Sequence, residues 1–352
     1  MTQDYGGISD TAKAVVATAS PIIAAYIDSI AGNITRMDAA TPFVIADYGS
    51  ADGANSSELL EMSIERIRSI KRSVKIRLLY IDLADKTPFE RFWKDSKLSR
   101  CDRVEARYVK QSFYEPLPET EVPVHLGFSS TAMHWLNTKN IDRGFFRHPK
   151  HIQANQLPAD ERTKYVEKWR DDWTWFFRER SRELVKNGAL FLATLTNLGD
   201  ERWPASAGYD YLRDICHELY REGHISDDEF NAFFIPDYFA TPDEMRSFFN
   251  ENKMKRCFDL RHCDSLTVPC AYSARVKDRF DNPQTRADLA ERLCHVVRAW
   301  SESSVRSGLL PNNKNMIEDV YQRLRKKFLE NPKPLPYQYC MVELRKIWQR
   351  AL

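Results

Sequence analysis

Two aspartates stand directly after short apolar segments, at positions where strands of a parallel sheet present groups that bind ligands. Asp47 follows the apolar residues 43–46 and precedes a turn that begins at Gly49, while Asp82 follows the apolar residues 76–81. In an open α/β sheet, ligands bind beyond the carboxyl ends of the strands. A carboxylate at the end of the second strand can accept hydrogen bonds from both hydroxyls of a ribose, and a solvated loop acid is the alternative for Asp82. The pattern favours a site of the nucleotide type.

The turn after the first strand restricts the kind of nucleotide. It runs Gly-Ser-Ala-Asp-Gly from Gly49 to Gly53 and lacks the pattern G-x-G-x-x-G of a dinucleotide-binding loop. Its internal acid, Asp52, would repel a pyrophosphate. The sequence therefore argues against a nicotinamide-dependent dehydrogenase.

A hydroxyl and an aromatic side chain follow a third apolar segment. Ser112 and Phe113 come shortly after residues 104–109. Phe113 can stack on a purine while Ser112 accepts a hydrogen bond from the exocyclic amine, and equally Phe113 can fill the core. A longer aromatic stripe at helical spacing is interpreted as core rather than as a ligand site, and it comprises Tyr165, Trp169, Trp173, Phe176 and Phe177.

The elements that would position these residues are seven strands separated by helices. Apolar runs predict strands at residues 43–46, 76–81, 104–109, 122–128, 189–195, 264–273 and 339–344. Helical spacing predicts helices at residues 12–27, interrupted at Ser20-Pro21, and at 56–70, 159–186 with Asn187-Gly188 as its C-cap, 210–220, 227–232, 242–249 and within 285–330. This alternation predicts an α/β fold, a Rossmann-like seven-stranded sheet with an inserted α-helical cap over the site. The core would span residues 1–200, completed by 255–280 and 335–352, and the cap would span 201–254 and 281–334.

Composition excludes several classes of partner. Among 352 residues, 52 Lys and Arg balance 50 Asp and Glu, so no charge excess indicates nucleic acid or an anionic membrane. No apolar segment approaches the ~18 to 20 residues that span a bilayer, and the amino terminus lacks a signal-peptide pattern, so a cytoplasmic location is expected. Seven cysteines without a C-x-x-C pattern favour neither a disulfide framework nor a zinc site, and no metal is predicted, even at the neighbouring His262 and Cys263.

Six stretches, in the same order, resemble one family, the SABATH carboxyl methyltransferases. Residues 45–55 (IADYGSADGAN) resemble the family's I-A-D-L-G-C-S-S-G-P-N, and residues 128–136 (FSSTAMHWL) resemble H-S-S-Y-S-L-M-W-L. Four further stretches match S-F-Y, R-x-x-E-L-V-x-G-G, F-N-x-P-x-Y and R-A-V-S-E, at residues 112–114, 180–188, 230–238 and 298–302. The resemblance implies a methyltransferase sheet and transfer of methyl groups from S-adenosylmethionine to small carboxylic acids, and sometimes to ring nitrogens. The product of the cofactor would be S-adenosylhomocysteine.

The same resemblance implies a set of cofactor-binding residues. Asp47 and Gly49 would face the methionine end of the cofactor with Asn55 beside that turn, and Asp82 would hold the ribose. Ser112 and Phe113 would flank the adenine. The complete implied set is Asp47, Gly49, Asn55, Asp82, Leu83, Ser112, Phe113 and Ser129.

The resemblance also implies the substrate site. Trp135 matches a tryptophan whose indole N–H binds the substrate carboxylate, which suits a rigid side chain that only donates. Thr131 and His134 replace a tyrosine and a methionine of the family's pocket, and the glutamine that partners the tryptophan is Thr18 or is absent. His134 would be either a second donor, with a substrate KM that changes near pH 6.5, or a pocket or core residue.

The predicted reaction is methyl-ester formation on a small to medium, partly apolar acid. A carboxylate with a pKa of about 4 is ionised at pH 7, so it needs no general base. N-methylation within the same fold and a non-catalytic ligand-binding relative are the alternatives. Members of this family are often homodimers, and nothing in the sequence identifies an interface.

Overall fold

The computed structural model describes residues 10–199, 203–276 and 282–347. Its strands are β1 (Phe43–Tyr48), β2 (Ile76–Asp82), β3 (Val104–Lys110), β4 (Val124–Ser130), β5 (Leu184–Leu195), β6 (Phe258–Val268) and β7 (Tyr337–Lys346). They form one sheet in the order β3-β2-β1-β4-β5-β7-β6. Strands β1 to β5 are parallel, whereas β7 runs antiparallel to both β5 and β6. The predicted seven-stranded α/β sheet is confirmed.

Helices cover both faces of this sheet and one of its edges. They are α1 (Asp10–Ser29), α2 (Ala31–Arg36), α3 (Ser57–Ile70), α4 (Lys86–Asp95), α5 (Ala159–Glu183), α6 (Ser206–Arg221), α7 (Asp227–Ala232), α8 (Pro242–Asn250), α9 (Asn252–Lys255), α10 (Ala271–Val276), α11 (Pro283–Gly308) and α12 (Met316–Glu330). None of the helices within the described ranges combines the length and the hydropathy required to cross a bilayer.

The aromatic stripe of α5 lies in the core, as predicted. All five of its rings are buried, and Trp173 and Phe177 contact Phe248 and Phe249 of α8. The described residues form two large apolar clusters, and the stripe belongs to one of them. Helices α1 and α3 pack together in the other cluster. Large buried aromatic surfaces dominate core energetics, so the stripe anchors α5 to the sheet.

A second group of helices packs beside the carboxyl edge of the sheet. Helices α6 and α7 contact α12 and α11, and α11 and α12 pack along each other. Helix α8 is different, because its buried side chains join the α5 cluster and the helix packs against β6. The segment expected to be cap, residues 201–254, therefore contains a helix that packs on the sheet.

Three of the predicted boundaries are wrong by several residues. Helix α5 ends at Glu183, and Asn187-Gly188 lies inside β5, where residues 185–188 stand opposite His125 as a bulge. Asn187 has φ 62°, a left-handed conformation that bulges use as well as helix ends. Helix α1 continues through Pro21 rather than breaking there. The sixth strand is Phe258–Val268 rather than residues 264–273, because its many polar and partly exposed residues do not form an apolar run.

Candidate active site

The carboxyl ends of β1, β2 and β4 lie at one edge of the sheet, because β1 runs parallel to both of the other strands. The chain adds β2 and β3 on one side of β1 and β4 on the other, so the strand order reverses there. Such a reversal opens a crevice in which α/β proteins bind ligands. A cavity lies at this point, which we call the sheet-edge cavity, and it is lined by Val16, Asp47, Gly49, Ser50, Ala51, Asn55, Ser56, Phe128, Ser130 and Thr131.

Gly49 brings the backbone of the first turn close to its neighbours. Its φ is +84°, and a Cβ at this position would lie 2.3 Å from the Cβ of Ala132 and 3.6 Å from Cδ1 of Phe113. The Gly49 N–H donates to the carbonyl of Ile81 over 2.8 Å, which ties the turn to β2. Only glycine fits both this conformation and this space.

Asp47 is buried in the wall of the sheet-edge cavity. Its Oδ2 accepts a hydrogen bond of 2.6 Å from the hydroxyl of Ser56. Burial raises the pKa of Asp47 to about 7, the Ser56 bond opposes that shift, and the charge of Asp82 adds to it. A cationic group bound in the cavity would favour the ionised carboxylate.

Asp82 connects the first turn to the end of β2. Its Oδ2 accepts from the N–H of Ala51 and its Oδ1 accepts from the N–H of Ala84, both over 2.8 Å. A carboxylate offers about four acceptor sites, so two sites remain after these bonds. Asp82 therefore fixes the turn and keeps the capacity to accept hydrogen bonds from a ribose.

Two apolar side chains flank this turn without lining the sheet-edge cavity. Leu83 is 69% exposed directly after Asp82. Phe113 is half-buried against the Gly49 turn, and its ring meets that of Phe176 edge-on at 6.2 Å. Ser112 has its hydroxyl engaged locally, since Oγ accepts from the backbone N–H of Tyr114 over 3.2 Å.

A buried ion pair on α5 holds the turn that carries Phe113. The guanidinium of Arg180, which is fully buried, donates to the carbonyls of Phe113 at 2.5 Å and Glu115 at 2.9 Å. The same guanidinium lies 2.6 Å from the carboxylate of Glu183. Both residues belong to the stretch 180–188 that resembles R-x-x-E-L-V-x-G-G, but their contact with the turn is not predicted from the sequence. Their spacing of three residues on an aromatic helical face is the sequence signal for an ion pair.

Two polar atoms in the sheet-edge cavity lack partners. The Oγ of Ser50 and the Oδ1 of Asn55 are buried and make no hydrogen bond within the part of the chain that the structure describes. Buried polar atoms are normally hydrogen-bonded, because leaving one unpaired costs free energy. The residues present therefore fit a polar ligand such as the amino-acid end of S-adenosylmethionine.

A second cavity adjoins the first, and Thr131 lines both. We call it the aromatic cavity, and it is lined by Thr131, His134, Trp135, Leu195, Pro204, Ala205, Tyr209, Phe239, Trp300 and Tyr337. Thr131 has φ 57°, and its Oγ1 lies 3.0 Å from the hydroxyl of Tyr339. A group bound in the aromatic cavity thus meets a ligand of the sheet-edge cavity at Thr131.

Trp135 is held from two directions. Its carbonyl accepts a hydrogen bond of 2.7 Å from the hydroxyl of Tyr114, and its backbone forms an antiparallel bridge with Asp237. The position of its indole in the aromatic cavity is thus coupled to the turn that follows β3. A rigid donor fixed in this way suits the orientation of an anionic oxygen.

His134 is buried beside Trp135, with ring centroids 5.1 Å apart. Burial lowers the pKa of His134 to about 3, and its Nδ1 has no hydrogen-bond partner within the described ranges. The ring is therefore neutral at physiological pH. This shift argues against a substrate KM that changes near pH 6.5 through His134, and the pH profile of KM is the test.

Two predicted site residues lie elsewhere. Ser129 is buried and its hydroxyl donates to the carbonyl of Tyr48 over 2.7 Å, while the next residue, Ser130, lines the sheet-edge cavity. Successive side chains of a strand point to opposite faces, which explains why Ser130 rather than Ser129 faces the cavity. Thr18 lies exposed on α1, where its hydroxyl donates to the carbonyl of Ala14, and it lines neither cavity.

Several walls of the aromatic cavity were missed from the sequence. They come from segments far apart in the chain, so spacing gives no signal, and they are Leu195, Pro204, Ala205, Tyr209, Phe239, Trp300 and Tyr337. Trp300 is the exception, because it stands where the R-A-V-S-E motif has a valine. This difference from the family pattern is a sequence signal that draws attention to the residue.

The histidine and cysteine considered for metal binding lie on β6. His262 Nδ1 is 3.3 Å from a carboxylate oxygen of Asp264, and Cys263 Sγ is 3.6 Å from Cys340 Sγ. In residues 10–199, 203–276 and 282–347, no group of three or more His, Cys, Asp or Glu side chains is arranged to hold a metal ion.

Comparison with known proteins adds an independent finding. The family model described as SAM dependent carboxyl methyltransferase, SAM being S-adenosylmethionine, matches residues 2–346. A 3,7-dimethylxanthine N-methyltransferase of Camellia sinensis var. assamica is 22% identical, with 86% of this chain and 83% of that protein aligned. A salicylate/benzoate carboxyl methyltransferase of Arabidopsis thaliana is 24% identical over 73% of this chain and 72% of its own. The structure of a loganic acid methyltransferase with SAH superposes with a TM-score of 0.75 at 18% identity, covering 99% and 98% of the two chains.

Proposed function

The chain belongs to the family of S-adenosylmethionine-dependent carboxyl methyltransferases, and from this premise we propose that it forms the methyl ester of a small to medium, partly apolar carboxylic acid. The proposal is carried by one observation: Thr131 lines both the sheet-edge cavity and the aromatic cavity, so the two cavities meet at this residue. Methyl transfer needs the donor and the acceptor to meet at one point, and two adjoining cavities provide it.

The sheet-edge cavity would hold the cofactor. When bound, S-adenosylmethionine supplies an electrophilic methyl group on a positively charged sulfur. Asp47 would face the ammonium group, which favours its ionised form, and the unpaired atoms of Ser50 and Asn55 would meet polar atoms of the same end. Asp82 would accept from the ribose hydroxyls, and the apolar surfaces of Leu83 and Phe113, with Ser112 beside them, would border the adenine.

The aromatic cavity would hold the acid. Its carboxylate is already ionised near pH 7, so the residues of this chain need only orient it and exclude water. The indole N–H of Trp135 would donate to one carboxylate oxygen and leave the other oxygen directed towards Thr131. Correct orientation of two reactants is worth ~7 to 11 kcal/mol in favourable cases. His134 would act as a neutral wall rather than as a cation.

Helices α6 and α11 would roof this site. Pro204, Ala205 and Tyr209 at the start of α6 and Trp300 on α11 line the cavity opposite the strand ends. We propose them as the centre of the helical cap expected over residues 201–254 and 281–334, with α8 packed on the sheet. A cytoplasmic location and a homodimer stay predictions.

Replacement of Trp135 tests the proposal. We expect parent protein given S-adenosylmethionine with a labelled methyl group and a panel of acids to form base-labile methyl esters. Trp135→Phe should lower kcat/KM by about 10- to 150-fold, the worth of a hydrogen bond to a charged group, while affinity for S-adenosylhomocysteine stays unchanged. Trp175→Phe, on the exposed surface of α5, is the matched control. Parent-like turnover by Trp135→Phe would show that the indole does not bind the carboxylate.

N-methylation is the second candidate, prompted by the similarity to the dimethylxanthine N-methyltransferase. The two reactions differ in product stability, since methyl esters hydrolyse in mild base and N-methyl groups persist. Base-stable label would therefore favour N-methylation. Absence of S-adenosylhomocysteine binding in calorimetry would instead favour a non-catalytic role.

A further inference from the structure

The aromatic cavity contains a hydrogen-bond donor that the proposed reaction does not use. The indole of Trp300 is 7% exposed, and its Nε1 is buried without a hydrogen-bond partner within the described residues. Trp300 lines the cavity from α11. Tryptophan N–H groups normally find an acceptor when buried, so this one calls for an acceptor that the chain itself does not provide.

A row of ring contacts along the cavity wall connects Trp135 to Trp300. The rings follow one another from Trp135 to His134 at 5.1 Å, to Phe239 at 5.6 Å and to Tyr209 at 5.9 Å. Tyr209 then stacks on Trp300 at 4.5 Å with an interplanar angle of 25°. An acid whose carboxylate meets Trp135 would therefore extend its other end towards Trp300.

The start of α6 packs against Trp300 at the cavity wall. Its N-cap, Ala205, has a left-handed φ of 51° and offers no side chain to cap the helix. Pro204 and Ala205 line the cavity, and Cζ2 of Trp300 lies 3.4 Å from the position of a Cβ at Gly208, in the first turn of α6. These three residues of α6 and its N-terminal end offer no free N–H there, since Pro204 has no N–H, the N–H of Ala205 donates to the carbonyl of Pro336 and that of Gly208 donates to the carbonyl of Ala205. The indole N–H of Trp300 is therefore the donor that this part of the wall presents to a ligand.

We propose that Trp300 Nε1 binds an oxygen acceptor that the acid carries at a position away from its methylated carboxylate. The inference rests on the proposed function and narrows its substrate class to acids that carry a remote carbonyl, hydroxyl or second carboxylate oxygen. Trp300 is then a specificity-determining residue. It leaves the reacting carboxylate to Trp135.

Matched pairs of acids test the inference. In each pair a carbonyl or hydroxyl oxygen replaces a methyl or methylene group of the same shape, as in 4-acetylbenzoate and 4-isopropylbenzoate, and 4-carboxybenzoate forms a charged third arm. We expect the parent protein to prefer the oxygen-bearing acid by roughly tenfold in kcat/KM, which corresponds to one well-placed hydrogen bond. Preference for the dicarboxylate would identify a charged acceptor, and preference for the ketone would identify a neutral one.

Trp300→Phe keeps a ring against Tyr209 but removes the N–H. The tenfold preference should fall to near unity, because kcat/KM for the oxygen-bearing acid falls more than that for the deoxygenated acid, while the affinity for S-adenosylhomocysteine stays within twofold. Trp203→Phe is the control, because Trp203 packs against the same Tyr209 ring at 5.1 Å and does not line the cavity. The preference should survive in that variant.

The failures of the two proposals are distinguishable. Equal esterification of both members of every pair by the parent, or a preference that survives in Trp300→Phe, would overturn the specificity role and leave ester formation standing. Absence of ester from every acid, with S-adenosylhomocysteine still bound, would overturn the proposed reaction and this inference with it.

Discussion

Replacement of Asp82 tests two roles of one side chain, namely binding of the cofactor ribose and stabilisation of the turn beside the sheet-edge cavity. Its two oxygens accept from the backbone N–H groups of Ala51 and Ala84. Asp82→Ala removes these acceptors and the acceptor proposed for the ribose. Each buried N–H left unpaired costs about 1 to 3 kcal/mol of unfolding free energy. Loss of two hydrogen bonds to a charged acceptor should weaken S-adenosylhomocysteine binding by ~2 to 3 kcal/mol, a rise in Kd of about 30- to 150-fold.

Calorimetric titration with S-adenosylhomocysteine measures the loss of binding, and urea denaturation measures the loss of unfolding free energy. Asp82→Asn should lie between the parent and Asp82→Ala, because its amide oxygen still accepts one of the two N–H groups. Asp85→Asn is the matched control, since Asp85 is exposed in the same turn and accepts from the N–H of Thr87 at the start of α4. A Kd of Asp82→Ala within threefold of the parent, with reduced stability, would refute the ribose assignment and make Asp82 a structural loop acid.

Two further predictions concern the first turn and the strand before it. Burial raises the pKa of Asp47 to about 7, above its unfolded value near 4, so the folded state binds the extra proton and unfolding free energy should fall as pH rises from about 4 to 7. Asp47→Asn should flatten that slope in urea titrations across this range, and an unchanged slope would contradict the shift. Gly49→Ala should abolish S-adenosylhomocysteine binding, because its Cβ would lie 2.3 Å from that of Ala132. Gly199 has a similar φ of +77°, but a Cβ at this position would have no atom within 4 Å, so Gly199→Ala should bind S-adenosylhomocysteine normally. Equal affinity of the two variants would show that the close approach at Gly49 is unimportant.

The parts of the fold that the sequence predicts best are those set by local burial. The strand ending at Asp82 is buried along most of its length, so an apolar run locates it within a residue. Asn187 shows the opposite case, because one left-handed residue suits a helix end and a strand bulge equally, and only pairing with β4 decides between them. Pro21 was misjudged because packing of α1 on the sheet outweighs one missing backbone bond.

The site divides in the same way. Asp47, Gly49 and Asp82 could be placed at one edge of the sheet from sequence because each lies at or just after a strand end, where topology fixes the side of the sheet. Ser129 and Ser130 could not be distinguished, since a shift of one residue reverses the face. Trp300 stands where the R-A-V-S-E motif has a valine, but its place in the cavity depends on the packing of α11 on α6, which no local pattern encodes.

The sharing of a single wall residue between the two cavities has an evolutionary consequence. Among the described residues, Thr131 alone lines both the aromatic cavity and the sheet-edge cavity. Changes at Leu195, Phe239 or Tyr337 can therefore reshape the choice of acid without disturbing the methyl donor. Such modular separation lets new substrates be acquired one substitution at a time, with Thr131 as the position least free to drift.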